Sequence, residues 1–129
     1  MTHAVRFVAV VAVLTALAQC APVQAQTPEE TDALRARAEA GDAEAQFSLG
    51  RTYEYGFINV PEDADVLDAE AARWFRLAAE QGHADAQNYL GDRYWTGEGV
   101  PQDYAEAVHW YRLAAYQGVA EAQYFLGVL

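Results

Sequence analysis

A ten-residue pattern occurs three times in this chain, as GDAEAQFSLG from Gly41, GHADAQNYLG from Gly82 and GVAEAQYFLG from Gly118. Each copy reads Gly-x-Ala-acidic-Ala-Gln-x-x-Leu-Gly. The second and third lie thirty-six residues apart, and the first lies 41 residues before the second. A period in the thirties is that of stacked helical hairpins, in which each unit buries its apolar side only against its neighbours. The likeness extends beyond the decamer: Trp74 to Gly82 reads WFRLAAEQG and Trp110 to Gly118 reads WYRLAAYQG. Tyr53 and Tyr94, and Gly56 and Gly97, also keep their offsets. The fold class expected is therefore all-α.

Residues 1–25 fall outside this pattern. One positive side chain, Arg6, precedes an apolar run from Phe7 to Ala18 interrupted only by Thr15, and Val23-Gln24-Ala25 offers small residues for cleavage. This is the layout of a secretory signal peptide. Twelve helical residues reach about 18 Å, against about 30 Å of bilayer hydrocarbon, so the run is too short for a membrane span. The stretch Leu17-Ala18-Gln19-Cys20 also resembles a lipoprotein processing site, although Gln19 stands where a small residue belongs. The expected location is periplasmic or secreted, with an anchor at Cys20 as the alternative.

The chain has eight basic residues against nineteen acids, a net charge of −11. Loss of the leader removes Arg6 and no acid, making it −12. Such a surface repels nucleic-acid phosphates and anionic membranes, and no nucleic-acid partner is expected. Cys20 is the single cysteine, so disulfides cannot staple the domain. Its core must come from pooled repeats.

Taken in order, Thr27-Pro28-Glu29-Glu30 is a capping box with proline at the first helical position, which predicts a helix to Ala40 stopped by Gly41. It is the second half of a repeat and forms an N-terminal cap. Asp42 caps the next helix, Ala43 to Tyr55, which Gly56 closes. Gly50 inside it costs about 1 kcal/mol relative to alanine, and its return as Gly91 and Gly127 implies close helix approach. The first repeat carries a five-residue surplus within Phe57 to Asp68. A helix from about Asp65 to Gln81 should turn Trp74, Leu77 and Ala78 to the core. The next repeat pairs Ala84 to Thr96 with Tyr104 to Gln117, joined by a turn in which Asp103 is the N-cap. The third supplies Ala120 to Leu129 alone. The units are thus a cap over 27–41, repeats over 42–81 and 82–117, and a partial repeat over 118–129. At the end Phe125, Leu126, Val128 and Leu129 have no following helix, which suggests self-association through this helix or a piece of a longer stack.

These residues resemble the Sel-one-like repeat, a relative of the tetratricopeptide repeat. Residues 82 to 118 carry its pattern in Ala84, Ala86, Gln87, Leu90, Gly91, Tyr94, Gly97, Gly99, Val100, Asp103, Ala107, Trp110, Ala114, Ala115 and Gly118. The resemblance implies a right-handed α-solenoid of antiparallel helix pairs, acting as an adaptor between proteins. The first copy lacks a glycine matching Gly99.

Pattern residues build the stack, so recognition should lie where copies differ. On the first helices, an off-core stripe reads Glu44, Phe47, Ser48, Arg51, Glu54, then Asp85, Asn88, Tyr89, Asp92, Trp95, then Glu121, Tyr124, Phe125, Val128. In the tetratricopeptide relatives this face lines a concave groove for extended peptides. Carried over, Phe47, Asn88, Trp95 and Tyr124, rimmed by Glu44, Glu54, Asp85, Asp92 and Glu121, would receive a basic or amphipathic protein segment. A carboxylate clamp is excluded, since only Arg51 and Asn88 could serve one. The competing reading is that Trp95 and Tyr124 cover apolar surface and the acids are a solvated face. His83 and His109 read as capping or surface residues, and no nucleophile, phosphate loop, cofactor motif or metal-ligand spacing is evident. No enzymatic activity is expected. The alternative from another class, a small-ligand or β-lactam-related hydrolytic protein like some cysteine-rich relatives, lacks their disulfides.

Overall fold

The computed structural model describes residues 27–55 and 63–128. The expected leader, Cys20, the Gly56 cap, the Phe57 to Glu62 segment and Leu129 lie outside them. Six helices follow one another: α1 (Pro28–Glu39), α2 (Ala43–Glu54), α3 (Ala64–Glu80), α4 (Ala84–Thr96), α5 (Tyr104–Tyr116) and α6 (Ala120–Val128). No strand occurs among the described residues. Strong packing joins consecutive helices only, which defines an all-α solenoid.

The local signals act as their chemistry requires. Thr27 accepts from the Glu30 amide while the Glu30 carboxylate accepts from the Thr27 amide, closing the capping box. Asp42, His83 and Asp103 cap α2, α4 and α5 through side-chain acceptors. The leading glycine of each decamer has φ near +90°, with Gly41 at 100°, Gly82 at 92° and Gly118 at 91°. That turn lets the next residue's amide reach back to Arg37, Ala78 and Ala114 respectively, so every second helix ends in the same glycine-dependent cap.

The decamer glutamine ties each first helix to the end of the helix before it. Gln46, Gln87 and Gln123 donate to the carbonyls of Ala38, Ala79 and Ala115 at 3.1, 3.2 and 3.0 Å. Gln81 donates to Gln46 Oε1 and Gln117 to Gln87 Oε1, at 2.8 and 2.9 Å, extending these ties along the stack. A second repeated contact runs from Arg35 to the Tyr53 hydroxyl and from Arg76 to that of Tyr94.

Leu49, Leu90, Phe75 and Tyr111 are the large side chains enclosed completely, set among small alanines. A Cβ on Gly50 would stand 2.7 Å from the Phe75 ring, and one on Gly91 the same distance from Tyr111. The mid-helix glycine therefore receives an aromatic ring from the paired helix. One core assignment changes: Leu77 is 37% exposed, whereas Trp74, Phe75 and Ala78 are buried. Ala71, Trp74, Phe75 and Ala78 hold the i, i+3, i+4, i+7 stripe, and Leu77 falls to its side.

The surplus of the first repeat appears largely as helix. α3 has 17 residues against 13 in α5. Asp68 directly follows the four added residues and matches Tyr104 of α5; its carbonyl lies so close to Gly99 that a Cβ there would stand 2.2 Å away. Gly99, at φ +76°, admits that contact on both steric and conformational grounds.

Candidate partner-binding face

The first helices α2, α4 and α6 present the off-core stripe, and its members fall into three groups. At the α2 end, Phe47 is buried, with its ring 4.7 Å from His83, 5.2 Å from Tyr89 and 5.8 Å from Phe75. His83 Nδ1 accepts from the Ala86 amide, so its Nε2 carries the proton and donates to Glu44 at 2.7 Å. Arg51 is exposed and rests over Phe47, Tyr55 and Tyr89 at 5.9, 5.4 and 5.8 Å from their ring centres. Stacking on aromatic faces suits a guanidinium, which keeps its charge there.

The second group centres on Arg93, which is only 4% exposed. It meets Glu54 at 2.6 Å, Asp68 at 3.3 Å and Glu98 at 3.2 Å, joining α2, the N-terminal part of α3 and the α4–α5 loop. Glu54 thus serves an internal ion pair, although its second carboxylate oxygen is buried without a donor. Sequence reasoning passed over Arg93, which lies beside the chosen stripe. Its signal was present: the matching residue of the preceding copy is Thr52, and an arginine there is peculiar to this repeat.

The third group lies where α4, α5 and α6 meet. Asn88 is 2% exposed and donates to Glu121 at 3.2 Å, while its Oδ1 has no donor. The Tyr111 hydroxyl donates to Asp92 at 2.6 Å. Burial, reinforced by the charges of Glu121 and Glu54, pushes the Asp92 carboxyl up to about 6, against the opposing effects of the Tyr111 hydrogen bond and Arg93. Burial foremost, with Asp92 beside it, raises Tyr111 as well. Tyr124 is 69% exposed, with its ring edge-on to Phe125 at 6.0 Å, and Phe125 stacks on Tyr111.

Trp95 stands apart from all three groups. It is half-buried, its ring lies 4.6 Å from Tyr104, and its carbonyl accepts from Gln102. Asp85 is exposed near the start of α4. The stripe residues that reach solvent are thus Glu44, Arg51, Asp85, Glu121 and Tyr124, with Ser48, Glu54, Tyr89, Asp92, Trp95 and Phe125 partly open. Phe47 and Asn88 lie within the helix interfaces.

Elsewhere, a cavity of about 480 Å³ is lined by Arg35, Glu39, Tyr53, Val66, Glu70, Arg73 and Trp74. The Trp74 indole N–H is buried without an acceptor, and so is that of Trp110 at the matching repeat position. An orphan donor repeated in this way belongs to the stack rather than to one site. No grouping of three or more His, Cys, Asp or Glu suited to a metal occurs among the described residues, and none of the described helices is long and apolar enough to cross a membrane.

An all-α stack with short sequential contacts and a polar first-helix face defines a repeat scaffold of the kind that presents surfaces to other proteins. Three consecutive Sel1 repeats match residues 43–83, 84–119 and 120–129, and the chain belongs to the Sel1 repeat family. Proteins of this family generally mediate protein–protein interaction. Among solved structures, the chain is similar to a protective antigen of uropathogenic Escherichia coli, at 48% identity and TM-score 0.66. That match covers 76% of this chain but only 20% of the antigen. It is also similar to a Sel1 repeat protein of Oxalobacter formigenes, at 42% identity and TM-score 0.61, covering 73% and 67% of the two chains. Helicobacter pylori cysteine rich protein B shares the fold at 24% identity and TM-score 0.65, covering 78% and 70%. Nothing among curated proteins matches the chain.

Proposed function

We propose that this chain is an exported interaction module whose first-helix face binds a basic or amphipathic segment of another protein. The supporting observation is the imbalance of charge on that face. Among the described residues, Asp85, Asp92 and Glu121 form no ion pair with an arginine, while Arg93 is already engaged by three other carboxylates. Opposite charge on a partner would be steered towards it and would hold its register. Tyr124 adds an exposed aromatic ring, the kind of side chain favoured as an interface anchor. Export is supported by the apolar leader and its small-residue end.

Affinity capture from envelope extract tests the reading, with residues 26–129 as bait beside Tyr124→Ala and Trp95→Ala. The expected result is a captured protein that Tyr124→Ala loses. Capture indifferent to both variants would place the contact elsewhere. The cavity beside Trp74 favours a second, small-ligand reading, and its size lies in the range of ligand sites. Covalent labelling or hydrolysis of a chromogenic β-lactam would support that reading, and a simple adaptor would show neither.

A further inference from the structure

The junction of α4, α5 and α6 holds more acceptors than donors. Asn88 and Asp92 lie four residues apart on α4 and so share a face. Glu121 comes to the same place from α6, 3.2 Å from the Asn88 amide nitrogen. Of the donors here, Tyr111 is used on Asp92 and one N–H of the Asn88 amide on Glu121, leaving a single amide hydrogen. What remains are the second oxygens of the Asp92 and Glu121 carboxylates, the latter exposed, and the Asn88 carbonyl oxygen, which alone is enclosed and without a donor.

The nearby cations are committed elsewhere. Arg93 turns to Glu54, Asp68 and Glu98, and Arg51 lies over aromatic rings of the α2 side. An anionic ligand would add a third negative charge. A metal ion would want a group of ligating side chains that this place lacks. A planar cation with several N–H groups meets the need, because a guanidinium fork can reach acceptors on two helices at once while its face lies against an aromatic ring. Tyr124, three residues beyond Glu121 on the same helix face, exposes such a ring.

We infer that Asp92, Glu121 and Asn88, flanked by Tyr124, form a seat for an arginine side chain of the partner segment. This rests on the first-helix face being the partner surface, and it narrows the partner from basic in general to one that places an arginine at the last repeat. Lysine, a point charge without a fork, fits less well because its ammonium cannot span both carboxylates in one plane.

The test uses a capped Ala-Arg-Ala peptide and its citrulline twin, which has the same shape with a neutral urea in place of guanidinium. Each is titrated into isotope-labelled protein while the side-chain carboxyl carbons of Asp92 and Glu121 are followed by NMR. The arginine peptide should shift both resonances saturably and bind at least about tenfold more tightly than the citrulline peptide. Glu121→Gln, an exposed change that leaves the fold in place, should cost a similar factor. Absence of saturable shifts at millimolar peptide, equal binding of citrulline, or indifference to Glu121→Gln would overturn the seat. Failure of the broader reading looks different: a seat that binds arginine peptide beside protein capture indifferent to Tyr124→Ala would leave the seat standing and remove the groove.

Discussion

At the scale of single residues, Asp92 has the most readable energetics. Its carboxyl titrates at about 6, above the ordinary 3.8, chiefly because it is buried. The folded chain holds this proton more tightly than the unfolded one does. Ionisation therefore costs stability as pH rises from about 4 through 6, and the cost persists above that. Asp92→Asn keeps an acceptor for Tyr111 and has no charge to lose. Its melting temperature should exceed that of the parent at pH 7 and approach it at pH 4.5, and a variant that melts lower at pH 7 would contradict this account. The repeated mid-helix glycine offers a paired test. In Gly91→Ala the methyl meets the Tyr111 ring at 2.7 Å, and overpacking should cost about 1–3 kcal/mol against a helix gain of about 1. In Gly127→Ala nothing lies within 4 Å, so the same change should be neutral or stabilising by up to about 1 kcal/mol. Urea denaturation of the two variants would read the difference directly.

At the scale of helices, the N-terminal part of α3 and the α4–α5 loop are held together by Arg93. Arg93→Met removes the cation shared by three carboxylates, two of them partly buried, and should destabilise by about 3 kcal/mol, the low end for breaking a buried ion pair, since Glu98 is well exposed. Gly99→Ala should act on the same joint by forcing the Asp68 backbone away. If both variants denature like the parent in urea, the joint contributes nothing. Caps, helix limits and the close approach at Gly50 and Gly91 were legible in the sequence, because Asp, Pro and Gly signal through local backbone chemistry. Gly127, expected to behave alike, meets nothing within 4 Å. The depth of a side chain was not legible. Phe47 and Asn88 share their helix phase with exposed Tyr124, yet each is covered by the following first helix and its neighbours, and helical periodicity specifies direction without saying what stands there. Leu77 erred oppositely, an apolar residue just off the buried stripe. Arg93 was missed because its partners come from three separate elements, α2, α3 and the α4–α5 loop.

Across the whole molecule, stability follows the stack. Because strong contacts join only consecutive helices, each end can open without disturbing the middle. Amide hydrogen exchange should be fastest in α1 and α6 and slowest in α3 and α4, whose residues are covered from both sides. Uniform protection across all six helices would show instead that the array opens only as a whole. The family and the solenoid were evident from the repeat because a fixed period constrains architecture directly. The proposed partner surface was only partly legible, since it depends on which acids are already neutralised within the stack.

The glutamine ties also give the array a sense of direction. Gln117 donates to Gln87, and Gln87 to Ala79; Gln81 donates to Gln46, and Gln46 to Ala38. Every amide in these relays points its hydrogens towards the start of the chain, and the oxygens of Gln46 and Gln87 accept from glutamines further along it. A unit spliced in with matching polarity would meet oxygen with hydrogen and extend the relay. One entering in reverse would set donor against donor, so the amides act as a parity check on how such arrays can lengthen.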